Sequence, residues 1–367
     1  MTGRTITRRA ILKAPAAAAA AGALRTLSGK TPYSMPGLYP ARVVSVTHPG
    51  ASVYMAYQTV PIQNMIRMGM QTLTGTSNYI TAWRKLFQPG DVVAIKVNPN
   101  GSPLVISSQP CLMEILNGLL LAGVAPIDIV VCERYQDILA RVTGWLPSWV
   151  RTGYASPGSY LDDQTGIQGY DPNYYVDLPQ YLLPGQDPTN PTDTRSHPAL
   201  FVTRQVTKII SLAVLKDHQA AGVTLNLKNL SGGLFNNWNR FHPDVNTNYL
   251  VDGIPALVSL PVVRNKVTLG IIDGVHGCYD GGPMGWTNVW EHNTMYFATD
   301  VVAADRVGWV AIDAERAIQG LPPEQTAPPD AYDSWVQRQP QHITAAGQMG
   351  LGEWRDEYID LRQVTLA

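Results

Sequence analysis

Polar side chains suited to binding and proton transfer follow several predicted strands of this sequence. Lysine can hold an anion by its charge, the asparagine amide both donates and accepts hydrogen bonds, and histidine exchanges protons near neutral pH. The expected ligand-binding residues are Lys96, Asn98, Lys216, Lys228, Asn229, Asp273 and Asp300. The expected catalytic residues are His218 and His276, and Glu133 and Asp217 stand beside this set.

These residue types favour a site for a small anionic or oxygen-rich ligand. The leading hypothesis is an enzyme in which His218 or His276 exchanges a proton while Lys96 and Lys228 hold charge. The alternative is a ligand-binding or cofactor-handling protein of the periplasm that performs no chemistry of its own. The sequence identifies neither a substrate nor a cofactor.

The predicted strands and helices alternate, which is typical of an α/β fold. Apolar runs of strand length cover residues 92–97, 128–132, 208–214, 267–272 and 294–299. A helical pattern at 109–123 joins the first two strands into a βαβ unit, which implies a mainly parallel sheet with helices on both faces. Because most candidate residues follow one of these strands, we expect them to meet at the carboxyl edge of the sheet.

Further helices are predicted at 62–87, with an interruption near Gly75, at 217–230, and from Val301 to about Gly320 with Asp300 as N-cap. If residues 217–230 form one helix, His218 and Asn229 share a face but lie about 16 Å apart along its axis. In that case the two side chains cannot both contact one small ligand.

The chain divides into four regions by composition. Residues 1–23 form a predicted leader, 24–143 an N-terminal βαβ region, 144–198 an irregular insertion rich in Pro, Gly and Tyr, and 199–367 a C-terminal α/β region. Loops as long as this insertion are usually functional lids or surface elaborations, and the sequence leaves both roles open.

The N-terminus has the order of an export signal, with Arg8 and Arg9 followed by Leu12, Lys13 and an alanine run at 16–21. Paired arginines before a weakly apolar segment with an Ala-x-Ala end predict the Tat route, and a Sec-type signal is the alternative. We therefore expect the Tat translocon as a partner, folding before transport, and a periplasmic or extracellular location.

The composition argues against several classes of function. Apolar residues make up 45% of the chain and charged residues 15%, and the net charge is −1. Such a chain can build a core but has no basic footprint for nucleic acid. No window is apolar enough for a membrane span, and no cysteine follows the leader closely, so no stable membrane anchor is expected.

Cysteine usage argues against an iron–sulfur cluster, because the three cysteines are scattered along the chain. Disulfides are not expected in a protein that folds before export, and Cys111 is predicted to be a core thiol. A metal ion held by protein ligands is a second possibility for the site, although no metal-binding motif supports it. The candidate ligands are Asp217, His218, His276, Cys278, Asp280, Glu291 and His292.

The order Lys216-x-His218, Thr224-x-x-x-Lys228-Asn229 and Gly232 closely resembles the signature of the family named domain of unknown function 362. Segments 90–98, 273–283 and 299–305 are similar to its other blocks, so the resemblance spans roughly residues 85–315. It implies an α/β fold and brings no established reaction. Many relatives carry ferredoxin-type cysteine motifs, and this chain resembles a variant without them and with a Tat leader. The strand at 90–95 also resembles the N-terminal part of nickel-pincer lactate racemases.

Overall fold

The computed structural model describes residues 33–156, 169–284 and 287–367, so the predicted leader at 1–23 lies outside the described residues. The strands are β1 (Arg42–Thr47), β2 (Ser52–Val53), β3 (Ala56–Tyr57), β4 (Val93–Lys96), β5 (Ile129–Cys132), β6 (Arg151–Gly153), β7 (Val176–Asp177), β8 (Arg195–Ser196), β9 (Lys208–His218), β10 (Gly222–Val223), β11 (Val267–Cys278), β12 (Val289–Ala298) and β13 (Asp360–Thr365). The helices are α1 (Thr59–Thr74), α2 (Tyr79–Arg84), α3 (Gln109–Ala122), α4 (Gln136–Thr143), α5 (Pro191–Thr194), α6 (Leu200–Arg204), α7 (Leu225–Ser231), α8 (Leu250–Val258), α9 (Pro261–Arg264), α10 (Val301–Ile318) and α11 (His342–Gln348).

Most of the described strands form one large sheet. Its order is β13-β1-β12-β11-β9-β4-β5-β6, and β10 pairs with β9 outside this order. Strands β11, β9, β4, β5 and β6 are parallel to one another, whereas β12 runs antiparallel to both of its neighbours. The predicted mainly parallel α/β fold is confirmed.

Helices cover both faces of this sheet, because strands buried on two sides need an apolar layer on each. Successive residues of β4 alternate between the two layers. Val93 and Ile95 pack into the core that α1, α2 and α3 cover, whereas Ala94 packs into the core under α7, α8 and α10. All four residues of β4 are buried, as a near-continuous apolar strand predicts.

Helix α3 shows how local sequence sets an element. Buried residues recur at helical spacing on its inner face, among them Leu112, Ile115 and Leu119. Gly123 ends the helix with φ 98°, a left-handed conformation that glycine adopts without a steric penalty. The predicted helix at 109–123 is therefore confirmed, as is the interruption at Gly75, where φ is 68°.

The prediction of a helix at 217–230 is wrong. Strand β9 continues to His218, so Lys216 and Asp217 are part of the sheet, and helix α7 begins only at Leu225. The extension holds because β10 pairs with Asp217 and His218 while Cys278 of β11 pairs with Lys216. Because His218 lies in β9 and Asn229 lies in α7, the expected separation of these residues along a single helix axis does not apply.

The insertion at 144–198 contributes edge strand β6 to the large sheet and the small sheet of β7 with β8, although residues 157–168 lie outside the described part. Buried Arg240 fastens its second half to the body of the protein. The guanidinium donates to the carbonyl oxygens of Leu178 at 2.8 Å and Tyr181 at 3.1 Å, and to Ser196 Oγ at 2.9 Å.

Among the described helices, none has the length and apolar character needed to cross a membrane.

Candidate functional site

The order in which the chain adds strands to the sheet reverses between β4 and β9. From β4 it proceeds outward to β5 and β6, and then returns to the other side of β4 as β9 before adding β11. Helix α3 follows β4 on one face and α7 follows β9 on the opposite face. A crevice at the carboxyl ends of two such strands is the usual ligand position in open α/β sheets.

Lys96 ends β4 and is buried. Its ammonium nitrogen lies 2.5 Å from Glu133 Oε2 and donates to Asn229 Oδ1 at 2.9 Å and to the Val97 carbonyl oxygen at 2.7 Å. The amide nitrogen of Asn229 donates back to the Lys96 carbonyl oxygen at 3.1 Å. A side chain at Gly233 would collide with Lys96, so that glycine permits the close approach. Lys96, Glu133 and Asn229 thus form a paired and rigid group.

Lys216 lies farther along β9 and is completely buried. Its ammonium nitrogen donates to Asn98 Oδ1 at 3.2 Å, and no carboxylate of the described residues lies within salt-bridge distance. Asn98 is itself fixed, since its backbone N–H donates to Ser107 Oγ at 2.7 Å. The pKa of Lys216 is lowered to about 7, mainly by burial and to a smaller extent by repulsion from Lys228. An amine in this state changes charge near neutral pH.

Lys228 projects from α7 and keeps partial contact with solvent. Its ammonium nitrogen lies 6.0 Å from the centre of the Trp238 ring, and the described residues offer it neither a carboxylate nor a carbonyl within bonding distance. Desolvation, followed by repulsion from Lys96, lowers the pKa of Lys228 to about 8. The charges of Lys96, Lys216 and Lys228 therefore act on one another, and these three residues form the lysine group. Within it, the Glu133 carboxylate is already paired with Lys96.

His218 adjoins the lysines and is held in one tautomer. Its Nδ1 accepts the backbone N–H groups of Ala220 at 3.1 Å and Ala221 at 3.2 Å, so the proton of the neutral ring sits on Nε2. Burial, and then repulsion from Lys228, lowers the pKa of His218 well below its ordinary value. At neutral pH this ring is therefore an uncharged hydrogen-bond donor.

Two further histidines flank this group, and no pattern in the sequence indicates either of them. The His242 ring centre lies 6.4 Å from that of His218, and Lys228 repels the charged form of His242. Buried His342 donates from Nδ1 to the Gln339 carbonyl oxygen at 2.9 Å and also lies in the field of Lys228. Neither residue belongs to a short motif, and only the fold brings them near Lys228.

His276 lies in different surroundings. Its Nδ1 lies 2.7 Å from the Leu104 carbonyl oxygen and its Nε2 lies 2.7 Å from Ser52 Oγ. The centre of its ring lies 3.9 Å from that of Tyr57, with the two rings tilted by 32°. Burial lowers the pKa of His276, and the charges acting on it are Asp273 and Glu291. The contacts of His276 are therefore with Ser52, Leu104 and Tyr57 rather than with the lysine group.

The carboxylates of Asp273 and Asp300 accept hydrogen bonds from backbone N–H groups and do not pair with the lysines. Asp273 Oδ2 accepts the N–H of Ser108 at 2.9 Å and its hydroxyl at 2.6 Å, which fixes the start of α3. Asp300 caps α10 through the N–H of Ala303 at 3.1 Å, as predicted. The expectation that Asp300 lies at the carboxyl edge is wrong, because β12 is antiparallel and its last residue lies opposite Gly270 near the start of β11.

The residues considered as metal ligands are engaged elsewhere. Cys278 Sγ donates to Asp217 Oδ1 at 3.3 Å, and Asp280 pairs with Arg316 at 3.0 Å. In the described ranges no three or more His, Cys, Asp or Glu side chains are arranged to hold a metal ion. All three cysteines are free and buried, and Cys111 is a core thiol as predicted.

Comparison with known proteins supports part of this description. The family model described as Domain of unknown function (DUF362) matches residues 191–310, which confirms the resemblance over that part of the chain. A search of curated proteins finds no match. Among solved structures, the chain is similar to the lactate racemase apoprotein from Thermoanaerobacterium thermosaccharolyticum, with 9% identity and a TM-score of 0.36 over 70% of this chain and 54% of that one. The chain thus spans about half the length of that protein, and a likeness at this level decides nothing about chemistry.

Proposed function

We propose that this chain, whose residues 191–310 match the DUF362 family model, binds a small anionic ligand at the carboxyl ends of β4 and β9. One observation carries the proposal: Lys216 and Lys228 repel each other, and neither pairs with a carboxylate in the part of the chain that the structure describes. Lysine is costly to bury without a counter-charge, so a bound anion would stabilise both groups. Lys228, which reaches solvent, is the first contact for the ligand, and Lys216 lies behind it.

The surrounding groups fit an anion bearing oxygen atoms. Lys228 supplies a mobile point charge, and His218 supplies an N–H donor from Nε2 in its neutral form. The paired group of Lys96, Glu133 and Asn229 holds the wall of the crevice in place. Phosphate and carboxylate share the required chemistry, and the experiment below distinguishes them.

An enzyme remains the leading form of this function. Because the pKa values of His218 and His276 are lowered, both rings are uncharged at neutral pH, whereas the pKa of Lys216 is about 7. In the enzyme we propose, Lys216 exchanges the proton while His218 donates a hydrogen bond. The position of His276 outside the lysine group favours the second candidate, a ligand-binding protein without catalysis. The expected export of the chain stays a prediction.

The proposal is tested by thermal unfolding of the purified protein with millimolar inorganic phosphate, sulfate or pyruvate. At a concentration of 100 times Kd, a ligand stabilises the native state by about 2.7 kcal/mol. The Lys228→Met variant should lose this shift and keep an unliganded melting temperature equal to or above that of the wild type, since Met retains the stem and removes an uncompensated charge. Phosphate without pyruvate binding would identify a phosphoryl ligand, and the reverse a carboxylate.

A matched control separates site binding from a general salt effect. Phosphate and sulfate stabilise many proteins by exclusion from the surface, so that part of the shift persists in every variant. Lys85→Met removes an exposed lysine of the segment after α2 and should respond as the wild type does. Equal shifts for all three proteins, or no shift with any anion, would overturn the proposal.

A further inference from the structure

We infer that an anion bound at Lys228 is accompanied by a proton taken up at Lys216, so that the site binds the two together. The inference rests on the proposed function, because it assumes an anion in the crevice. It adds a coupling that anion binding alone does not require. The anion need not touch Lys216, since the coupling acts through the electric field between neighbouring groups.

The surroundings of Lys216 differ from those of the other two buried lysines. Lys96 pairs with Glu133 at 2.5 Å and Lys208 pairs with Asp91 at 2.8 Å, whereas the hydrogen bond that Lys216 makes among the described residues is to the neutral oxygen of Asn98. A buried ammonium with a carboxylate partner keeps its proton, and one without a partner holds it weakly. Of the three buried lysines Lys96, Lys208 and Lys216, Lys216 is therefore the one that is poised to gain a proton.

Every element packed around Lys216 contributes to its field. Lys228 of α7 and His218 of β9 disfavour a further positive charge, whereas Asp217 of β9, Cys278 of β11 and Glu133 after β5 favour it. Glu133 is shared with Lys96, and Asp217 accepts from Cys278 and from the Gly282 N–H at 2.8 Å. Burial raises the pKa of Asp217, so this carboxyl group balances a positive charge less completely than an ordinary carboxylate would. None of these described neighbours fully balances an ammonium group at Lys216.

The direction of the pH effect follows from these surroundings. Without ligand, the pKa of Lys216 is about 7, and a nearby anion raises it by cancelling the repulsion from Lys228. Proton uptake on binding then occurs between the two pKa values. Affinity is highest below the lower value and falls as pH rises above it, by up to about tenfold per pH unit for one coupled proton.

The test is isothermal titration of the whole chain with sulfate, whose charge stays constant from about pH 6 to 9. At about pH 7.5, titrations in two buffers of different ionisation enthalpy give the number of protons taken up. The wild type should take up most of one proton for each sulfate. Lys216→Met should bind sulfate with most of this uptake lost, and Lys85→Met should behave as the wild type.

The outcomes separate the two proposals. Absence of sulfate binding at every pH counts against the proposed anion site itself. Binding with the same heat in both buffers and the same Kd from pH 6 to 8 would leave the anion site standing and overturn the coupling. If Lys216→Met does not fold, the wild-type measurement alone still decides. Uptake that persists unchanged in a folded Lys216→Met protein would assign the proton to another group and refute the inference.

Discussion

Glu133 Oε2 lies 2.5 Å from the ammonium nitrogen of Lys96, and the two side chains follow neighbouring parallel strands with almost no exposure. Glu133 is therefore a carboxylate that partly balances the positive charge of the lysine group. Its field also acts on Lys216 and Lys228, whose charged forms it favours. The charge balance of the crevice depends on this residue.

Replacing Glu133 with Gln should destabilise the protein by about 3 kcal/mol, because it leaves Lys96 buried without its counter-charge. Urea unfolding at neutral pH measures the loss, and sulfate should restore more stability to the variant than to the wild type. Glu357→Gln, which changes an exposed carboxylate, is the matched control. A loss no larger than that of the control would show that Lys96 does not need Glu133.

Asp305 of α10 should make the stability of the protein depend on pH. Its carboxylate accepts the N–H groups of Asn226 at 2.8 Å and Leu227 at 2.7 Å, and these hydrogen bonds fix the start of helix α7. Burial raises the pKa of Asp305 to about 7, above its ordinary value near 4 in an unfolded chain. The protonated form therefore contributes stability at low pH, and this contribution is lost as pH rises from about 4 to 7.

Asp305→Asn should accordingly cost about 2 kcal/mol at about pH 5, with a smaller cost at about pH 8. Urea unfolding of both proteins at the two pH values gives the difference. Asp360→Asn is the control: the pKa of this exposed carboxyl is lowered, chiefly by Arg362, so its effect should be equal at both pH values. A cost for Asp305→Asn that grows toward pH 8 would contradict the assignment.

Arg240→Met should loosen the second half of the insertion. The substitution leaves the carbonyl oxygens of Leu178 and Tyr181 without their buried donor, and each unpaired group costs about 1–3 kcal/mol. We expect limited proteolysis within residues 178–196 at protease levels that leave the wild type intact. Arg204→Met, which removes a side chain 59% exposed and paired with Asp171, should cost less than about 1 kcal/mol and leave the cleavage pattern unchanged. Equal resistance of all three proteins would mean that Arg240 does not hold this segment.

Local sequence predicted the elements whose pattern is set by their own residues. The helices around Gly75 and before Gly123 are where glycine and leucine spacing indicate them. The apolar run at residues 92–97 likewise predicts strand β4 correctly. Lys96 ends this strand, so the run places Lys96 at the carboxyl edge of the sheet. These features depend on neighbours a few residues away.

Features that depend on distant pairing could not be predicted in this way. Lys216, Asp217 and His218 are polar and resemble a loop, but β10 and β11 hold them in a strand. The direction of β12 is not encoded in its own residues, and this direction moves Asp300 to the far edge. His242 and His342 come under the influence of the Lys228 charge only because segments distant in the sequence meet in the fold.

The hydrogen bond from Lys96 to Asn229 joins residues 133 positions apart in the chain. Closing so long a loop costs conformational entropy before the contact contributes anything, so structures rich in such contacts fold slowly. We therefore expect the contact between Lys96 and Asn229 to form after β4 and β9 have met. An anion that binds in the crevice recognises only the completed fold, and its presence during refolding should raise the final yield of native protein without accelerating the earliest steps.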